Sequence, residues 1–263
     1  MRRALLVTVL VFAVAAPAFG GEYDPGTVPP ESTSRPEPSG RVLHVGRGGI
    51  QAAVDRARPG DVIRVRPGTY HGAVELRGAS KRGVRLVADR ATLRGTLTVQ
   101  DTARVEVRGL RVAGGAIVVR AVDRWSLHDV RVGGARGAGI DVRRSRGGTM
   151  TRVRSSANGG AGIALAATPE QVRATRTFVR DVTVEGNAVG IALEGVRAIT
   201  VSRARLLANR TGVSAVAVRE GVLTDSDIRS SAVGVARSAG TDLRLAGVRW
   251  SSNVTDVLEP QEA

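Results

Sequence analysis

From Leu127 onward apolar residues occupy alternate positions in short runs that end at Gly, Asn or Asp, the period-two pattern of half-buried strands. The run recurs as Leu127-His128-Asp129-Val130-Arg131-Val132, Met150-Thr151-Arg152-Val153-Arg154-Ser155, Val179-Arg180-Asp181-Val182-Thr183-Val184, Val201-Ser202-Arg203-Ala204-Arg205-Leu206, Leu223-Thr224-Asp225-Ser226-Asp227-Ile228 and Leu245-Ala246-Gly247-Val248-Arg249-Trp250. Its spacings are 23, 29, 22, 22 and 22 residues. Half a period away a second run, Gly followed by an apolar residue, recurs at Gly139, Gly162, Gly190, Gly212 and Gly234, with spacings of 23, 28, 22 and 22. Asn158, Asn187 and Asn209 precede three of these at a turn position. Two independent registers agree, so the chain is built from a repeat.

A unit of this length with short strands and no helix cannot bury its apolar residues alone, so the units must stack. The predicted fold is all-β: a parallel β-solenoid of roughly nine coils, each about 4.8 Å above the last. Leu127, Met150, Val179, Val201, Leu223 and Leu245 should form one interior column. A leucine-rich repeat fits poorly, because no helix or convex turn follows a Leu-rich strand. Residues from about Ala166 to Arg176, with Pro169 among them, predict one coil with an enlarged loop.

The repeat has a distinct beginning. A strand over Val42 to Val45 leads through a Gly-Gly turn to Ile50, Ala53, Val54 and Ala57, whose spacing predicts one short amphipathic helix. The helix stops at Pro59-Gly60-Asp61 and alternation resumes with Val62-Ile63-Arg64-Val65. Further upstream, Arg2 and Arg3, the apolar stretch Ala4 to Ala15 and Ala16-Pro17-Ala18 have the form of a secretory leader. The predicted organisation is a signal peptide over 1–18, a Pro-rich linker over 19–40, the β-helix domain over 41–258 and a tail over 259–263. The protein is expected outside the cytoplasm, secreted or in the cell envelope. Once the leader is removed no membrane span is expected, since the apolar stretch falls short of about 20 residues and no other follows.

Composition narrows the chemistry. The 263 residues contain no Cys and three His, which excludes thiolate-ligated metals and thiol nucleophiles. The formal net charge is +15, and every basic residue except Lys81 is Arg. A guanidinium-rich surface favours anionic partners.

The segment Gly49-Ile50-Gln51-Ala52-Ala53-Val54-Asp55-Arg56-Ala57, followed by Pro59-Gly60-Asp61-Val62-Ile63 and Pro67-Gly68-Thr69-Tyr70, resembles the leading part of right-handed parallel β-helix proteins of the pectin-lyase-like superfamily. The resemblance implies that the solenoid is a single-stranded right-handed parallel β-helix and that the short helix caps it by plugging its N-terminal end. It also implies a range of activities, since that superfamily holds polysaccharide lyases, glycoside hydrolases, alginate epimerases and exported proteins with no established chemistry. Pectate-lyase-like enzymes gather carboxylates from adjacent coils around calcium. Here the corresponding outward position runs Val118, Asp141, Ala164, Ala192, Ser214 and Ala236, with a single carboxylate. The Asn-Thr-Asp, Asp-Asp and Gly-His-Gly groups of polygalacturonases and the Asp-Pro-His of alginate epimerases are missing. No catalytic role is carried over, and neither metal nor cofactor is expected.

Several residues remain as candidates. Asp141 with Arg143 and Arg120 suits an acid/base pair or, more simply, solvated charges that neutralise one another. His128, beside Asp129 and near Trp125, suits a general base with an orienting carboxylate, against a surface histidine that precedes a turn aspartate, which the sequence favours. Asn209-Arg210-Thr211 and Asn253-Val254-Thr255 match the glycosylation pattern. The sharpest candidate is an outward column of Arg111, Arg131, Arg154, Thr183, Arg205, Asp227 and Arg249. Like charges stacked one strand apart are destabilising and invite an anionic ligand; the alternative is that Arg simply fills most outward positions of this chain. A neighbouring column, Asp129, Arg152, Asp181, Arg203 and Asp225, alternates in sign and should satisfy itself. Beyond residue 20 the aromatic residues are only Tyr23, Tyr70, Trp125, Phe178 and Trp250, so stacking on bases or neutral sugars has few platforms.

The expected function is binding of an acidic polysaccharide or other extracellular polyanion by the stripe Arg111, Arg131, Arg154, Arg205 and Arg249, without identified catalysis and without specific nucleic-acid recognition. The alternative is a polysaccharide lyase or uronate epimerase.

Overall fold

The computed structural model describes residues 40–46, 49–167 and 176–259. The expected leader, the linker up to residue 39, residues 47–48, residues 168–175 of the enlarged loop and the tail from residue 260 lie outside them.

The described chain winds into a parallel solenoid of about nine turns with three sheets, and each turn contributes one strand to each sheet. Sheet A has ten strands, from Val42–His44 to Leu243–Ala246. Sheet B has nine, from Gly68–His71 to Arg249–Ser251, and sheet C has nine, from Val74–Arg77 to Thr255–Leu258. The predicted interior column is present and longer than expected: Leu43, Ile63, Leu86 and Val107 continue it above Leu127, and the six predicted residues follow in direct strand register. From Ile63 to Leu223 every member is at most 2 % exposed.

The predicted helix is α1, Gly49–Arg56. Ile50, Ala53, Val54 and Ala57 fall at i, i+3, i+4 and i+7 and are 3, 0, 0 and 4 % exposed. Helix α1 also closes a strand edge, because Gln51 Oε1 accepts the Glu75 backbone N–H at 2.7 Å. Lys81 Nζ donates to the Ala57 carbonyl at 2.9 Å, placing a cation at the helix C-terminus. Asp61 fastens the following turn: its carboxylate accepts the backbone N–H groups of Arg41 and Arg58, each at 2.9 Å, and Arg41 Nη2 at 2.8 Å. Burial pushes the Asp61 carboxyl up, but these donors outweigh it and hold it below the usual carboxylate range.

The corners explain what the sequence pattern left ambiguous. Asp129, Arg152, Asp181, Arg203 and Asp225 are corner residues between sheets A and B, all in the left-handed region with φ of +49 to +55°. Their alternation makes a ladder: Arg152 donates to both oxygens of Asp129 at 2.6 and 2.8 Å, and Arg203 does the same to Asp181. At the corner between sheets B and C, Asn158, Asn187 and Asn209 form a buried amide ladder. The Oδ1 of each lower Asn accepts the backbone N–H and the Nδ2 of the one above at 2.9–3.0 Å. Asn209 is 2 % exposed and gives its Nδ2 to the Val184 carbonyl, so the glycosylation pattern there marks a structural amide.

Trp125 requires a correction. It is a core residue, 3 % exposed, stacked on Gly148 of the next coil, where an added Cβ would sit 2.1 Å from the ring. The indole therefore offers no surface platform.

Candidate functional site

The Arg column lies on the outer face of sheet B, where the strands Arg111–Ala113, Arg131–Gly133 and Arg154–Ser156 each present an Arg, an inward residue and a small outward residue. Register pairs Arg111 with Arg131 and Arg131 with Arg154, then continues through Thr183, Arg205, Asp227 and Arg249. All five stripe arginines are exposed. Parallel pairing thus places successive guanidinium stems about one strand spacing apart.

The three neighbouring arginines edge a groove of about 710 Å³. Arg94, which the sequence reading did not single out, contributes to the same groove. Its floor is made by Ala113, Gly133 and Ser156, in register with one another and none larger than a hydroxymethyl group, and Thr69 and Thr92 line it beyond Arg111. The lining contains no carboxylate, and none of the four arginines makes an ion pair with a described residue. Arginine keeps its proton throughout the accessible pH range, and its planar fork suits two-point contact with carboxylate or sulfate oxygens.

Further along the same sheet the stripe changes character. Arg203, Arg205 and Arg249 share a smaller recess of about 300 Å³ with Asp181, Asp225 and Asp227. Asp227 is only 6 % exposed between Arg205 and Arg249, and Arg229 Nε donates to its Oδ1 at 2.7 Å. Arg205 and Arg249 are therefore in register with the stripe but outside its unneutralised part.

The other candidates are apart from this groove. Asp141 lies on sheet C, 9 % exposed, and accepts Arg143 Nε at 2.9 Å, with Arg120 at 4.0 Å. This hydrogen bond raises the Arg143 pKa from its ordinary value, the behaviour of a structural ion pair. His128 stands on sheet A between Arg108 and Thr151. Burial pushes its pKa below the usual imidazole value, Arg108 and Arg152 push the same way, and Glu106 and Asp129 oppose them. The carboxylate next to it is occupied, since Asp129 is clamped by Arg152 and held below the usual carboxylate range by that hydrogen bond. Asp129 is thus not free to orient His128 as a general base requires, and Glu106, on the adjacent strand, makes no hydrogen bond to it. Among the described residues no group of three or more His, Asp or Glu is arranged to hold a metal ion. No helix among them is long and apolar enough to cross a membrane.

No protein-family model and no curated protein matches the sequence. Solved structures do match in shape. Pectate lyase Pel9A is 11 % identical with a TM-score of 0.61, covering 82 % of this chain and 78 % of its own. An alginate lyase from Paenibacillus sp. str. FPU-7 is 14 % identical with a TM-score of 0.55, covering 84 % and 98 %. The pectin methylesterase from Aspergillus niger is 14 % identical with a TM-score of 0.53, covering 84 % and 88 %. At these identities the likeness establishes the fold, and the fold is theirs: a right-handed parallel β-helix of the pectate-lyase type.

Proposed function

We propose that this right-handed β-helix is an exported protein that binds an acidic polysaccharide, or a similar extracellular polyanion, lengthwise in the groove of sheet B. The observation that carries the reading is the row Arg111, Arg131 and Arg154, in register and exposed, joined by Arg94 from a neighbouring outward column, with no carboxylate in the groove lining. A polymer laid along the solenoid axis meets one guanidinium per coil, and a uronate sugar is about as long as one strand spacing. The low floor of Ala113, Gly133 and Ser156 lets the sugar rings lie close to the sheet while their carboxylates reach the arginines. Support also comes from the neighbours in fold, whose names include pectate and alginate lyases. Export rests on the leader expected over residues 1–18.

The binding is electrostatic and sequence-tolerant, so it releases counterions and weakens as salt rises. The test is titration with polygalacturonate and with an uncharged polymer of equal length at two salt concentrations. Salt-sensitive binding to the polyuronate alone is expected. Equal binding of both polymers, or binding indifferent to salt, would overturn the reading, and release of unsaturated sugars would replace it with a lyase.

A further inference from the structure

We propose that the groove of sheet B takes the end of an acidic polysaccharide chain, and that Glu185 is the residue that excludes the chain's continuation. The inference rests on the reading of the groove as a polyanion site and specifies which part of the polymer it selects.

Two outward columns run side by side along sheet B, and both change character at the same coil. The stripe reads Thr69, Thr92, Arg111, Arg131, Arg154 and then Thr183. The floor column changes with it: Ala113, Gly133 and Ser156 are followed in register by Glu185. The strand Thr183–Glu185 therefore withdraws a guanidinium from one column and puts a carboxylate into the other. The groove lining stops at the same point, since Arg154, Ser156 and Ala157 are the last residues in it. Beyond Thr183 the next stripe arginine, Arg205, shares its recess with Asp181, Asp225 and Asp227.

Glu185 is exposed, and its carboxylate forms no ion pair with a described residue. It stands about one strand spacing beyond Ser156. That is inside a Debye length of about 8 Å at physiological salt, so its charge is felt at the groove end. A polyanion continuing past Ser156 would leave the arginines and bring its next carboxylate against Glu185. The opposite end has no such barrier. There His71 pairs in register with Arg94 and Thr69 with Thr92, and none of the four is acidic. An acidic chain can run out of the groove toward Thr69, while its terminus lies at Ser156.

The arginines set the length that is recognised. Arg111, Arg131 and Arg154 with Arg94 supply the cations, and at one charged unit per strand spacing the contact is complete at about four units.

The experiment is calorimetric titration at low salt with galacturonate oligomers both shorter and longer than this, and with long polygalacturonate, each counted per ligand chain. Affinity should climb to about four units and then level off, and a long polymer should bind at most two copies of the protein, at its ends, whatever its length. Copies bound in proportion to polymer length would overturn the inference and leave the groove as a polyanion site; absence of salt-sensitive binding by every one of these ligands would overturn both. Glu185→Gln should lift the barrier, so that the number of copies on the long polymer rises with its length. Glu194→Gln, exposed on sheet C, removes the same charge from another face and should leave that number unchanged. A Glu185→Gln variant still confined to chain ends, or an equal gain in both variants, would overturn the proposal.

Discussion

Arg111, Arg131 and Arg154 occupy one outward position in three successive coils, and the same position later holds Arg205, Asp227 and Arg249. The backbone is alike in the two regions: parallel strands of three residues, one inward residue at the middle of each, and a left-handed corner before the strand. Their electrostatics are opposite in effect. In the first region the arginines edge a carboxylate-free groove on one side, and the one carboxylate in the recess on their other side, Asp129, is clamped by Arg152; in the second region three aspartates share the recess with three arginines. A binding site on a repeat protein is thus set by where a carboxylate enters the stripe itself, as Asp227 does, more than by how many guanidiniums the stripe contains.

The most damaging way to break this comparison is to remove the frame both regions share. Val54→Asp buries an unpaired carboxylate beneath the N-terminal cap and should cost about 3–5 kcal/mol. Its thermal transition should fall well below that of the parent chain; an unchanged transition would show that α1 is not the cap.

Next in size is the contrast itself. Changing Arg111, Arg131 and Arg154 together to Gln should weaken polyuronate binding by roughly tenfold or more and flatten the salt slope by about 2 to 3, close to one per lost contact. Changing Arg205 and Arg249 to Gln should leave the affinity within about twofold, because Asp181, Asp225 and Asp227 share their recess and repel a polyanion from it. A triple change at Arg66, Arg82 and Arg104, exposed and away from the groove, controls for net charge. Equal losses in the groove and control triples would reduce the groove to general basicity.

Asp227→Asn tests the comparison from the other side. It uncovers Arg205, Arg229 and Arg249, so polyanion affinity should rise a few-fold while stability drops by about 1 kcal/mol with the loss of a charge-assisted hydrogen bond. Unaltered affinity in a folded variant would mean that the second recess is inert for reasons of shape.

Acidity separates the regions more gently. The carboxyls of Asp129 and Asp181 are held below their usual range, chiefly by hydrogen bonds from Arg152 and Arg203. A group depressed by folding contributes stability above its unfolded value, near about 3.9, and loses that contribution as pH falls through the folded value. Binding of a sulfated polymer, which stays ionised, should therefore be flat from about pH 6 to 8. At more acidic pH it should strengthen as Arg152 and Arg203 are released, while thermal stability declines. A steep change between pH 6 and 8 would place a titrating group other than arginine in control.

The smallest expected effect is that of Arg131→Lys. It keeps the charge but loses the planar fork, so affinity should fall only about two- to threefold with the salt slope unchanged. A loss as large as that of the triple Gln variant would show that two-point geometry dominates over charge.

Much of this molecule is determined by its sequence. The recurrence of Leu127, Met150, Val179, Val201, Leu223 and Leu245 dictates the interior column, because period-two strands of a repeat have one face to bury and only neighbouring coils to bury it against. The register of Arg111 with Arg131 and Arg154 follows from the same spacing, since a residue two places beyond a turn keeps its place in every coil. The short helix is equally legible, from four apolar residues at helical spacing before Pro59-Gly60. Other features depend on contacts between coils, which no single repeat encodes. Trp125 enters the core because Gly148, one coil away, leaves it room. Asn158, Asn187 and Asn209 turn inward because each supplies the hydrogen bonds that its neighbour's backbone needs. Arg94 joins the groove from a different outward column. Arg205 and Arg249 leave the site because Asp227, buried between them, and Asp181 and Asp225 share their recess. Spacing fixes where a side chain stands along the stack, but its effective charge and burial depend on what the next coil brings within reach, and that is decided only when the coils close on one another.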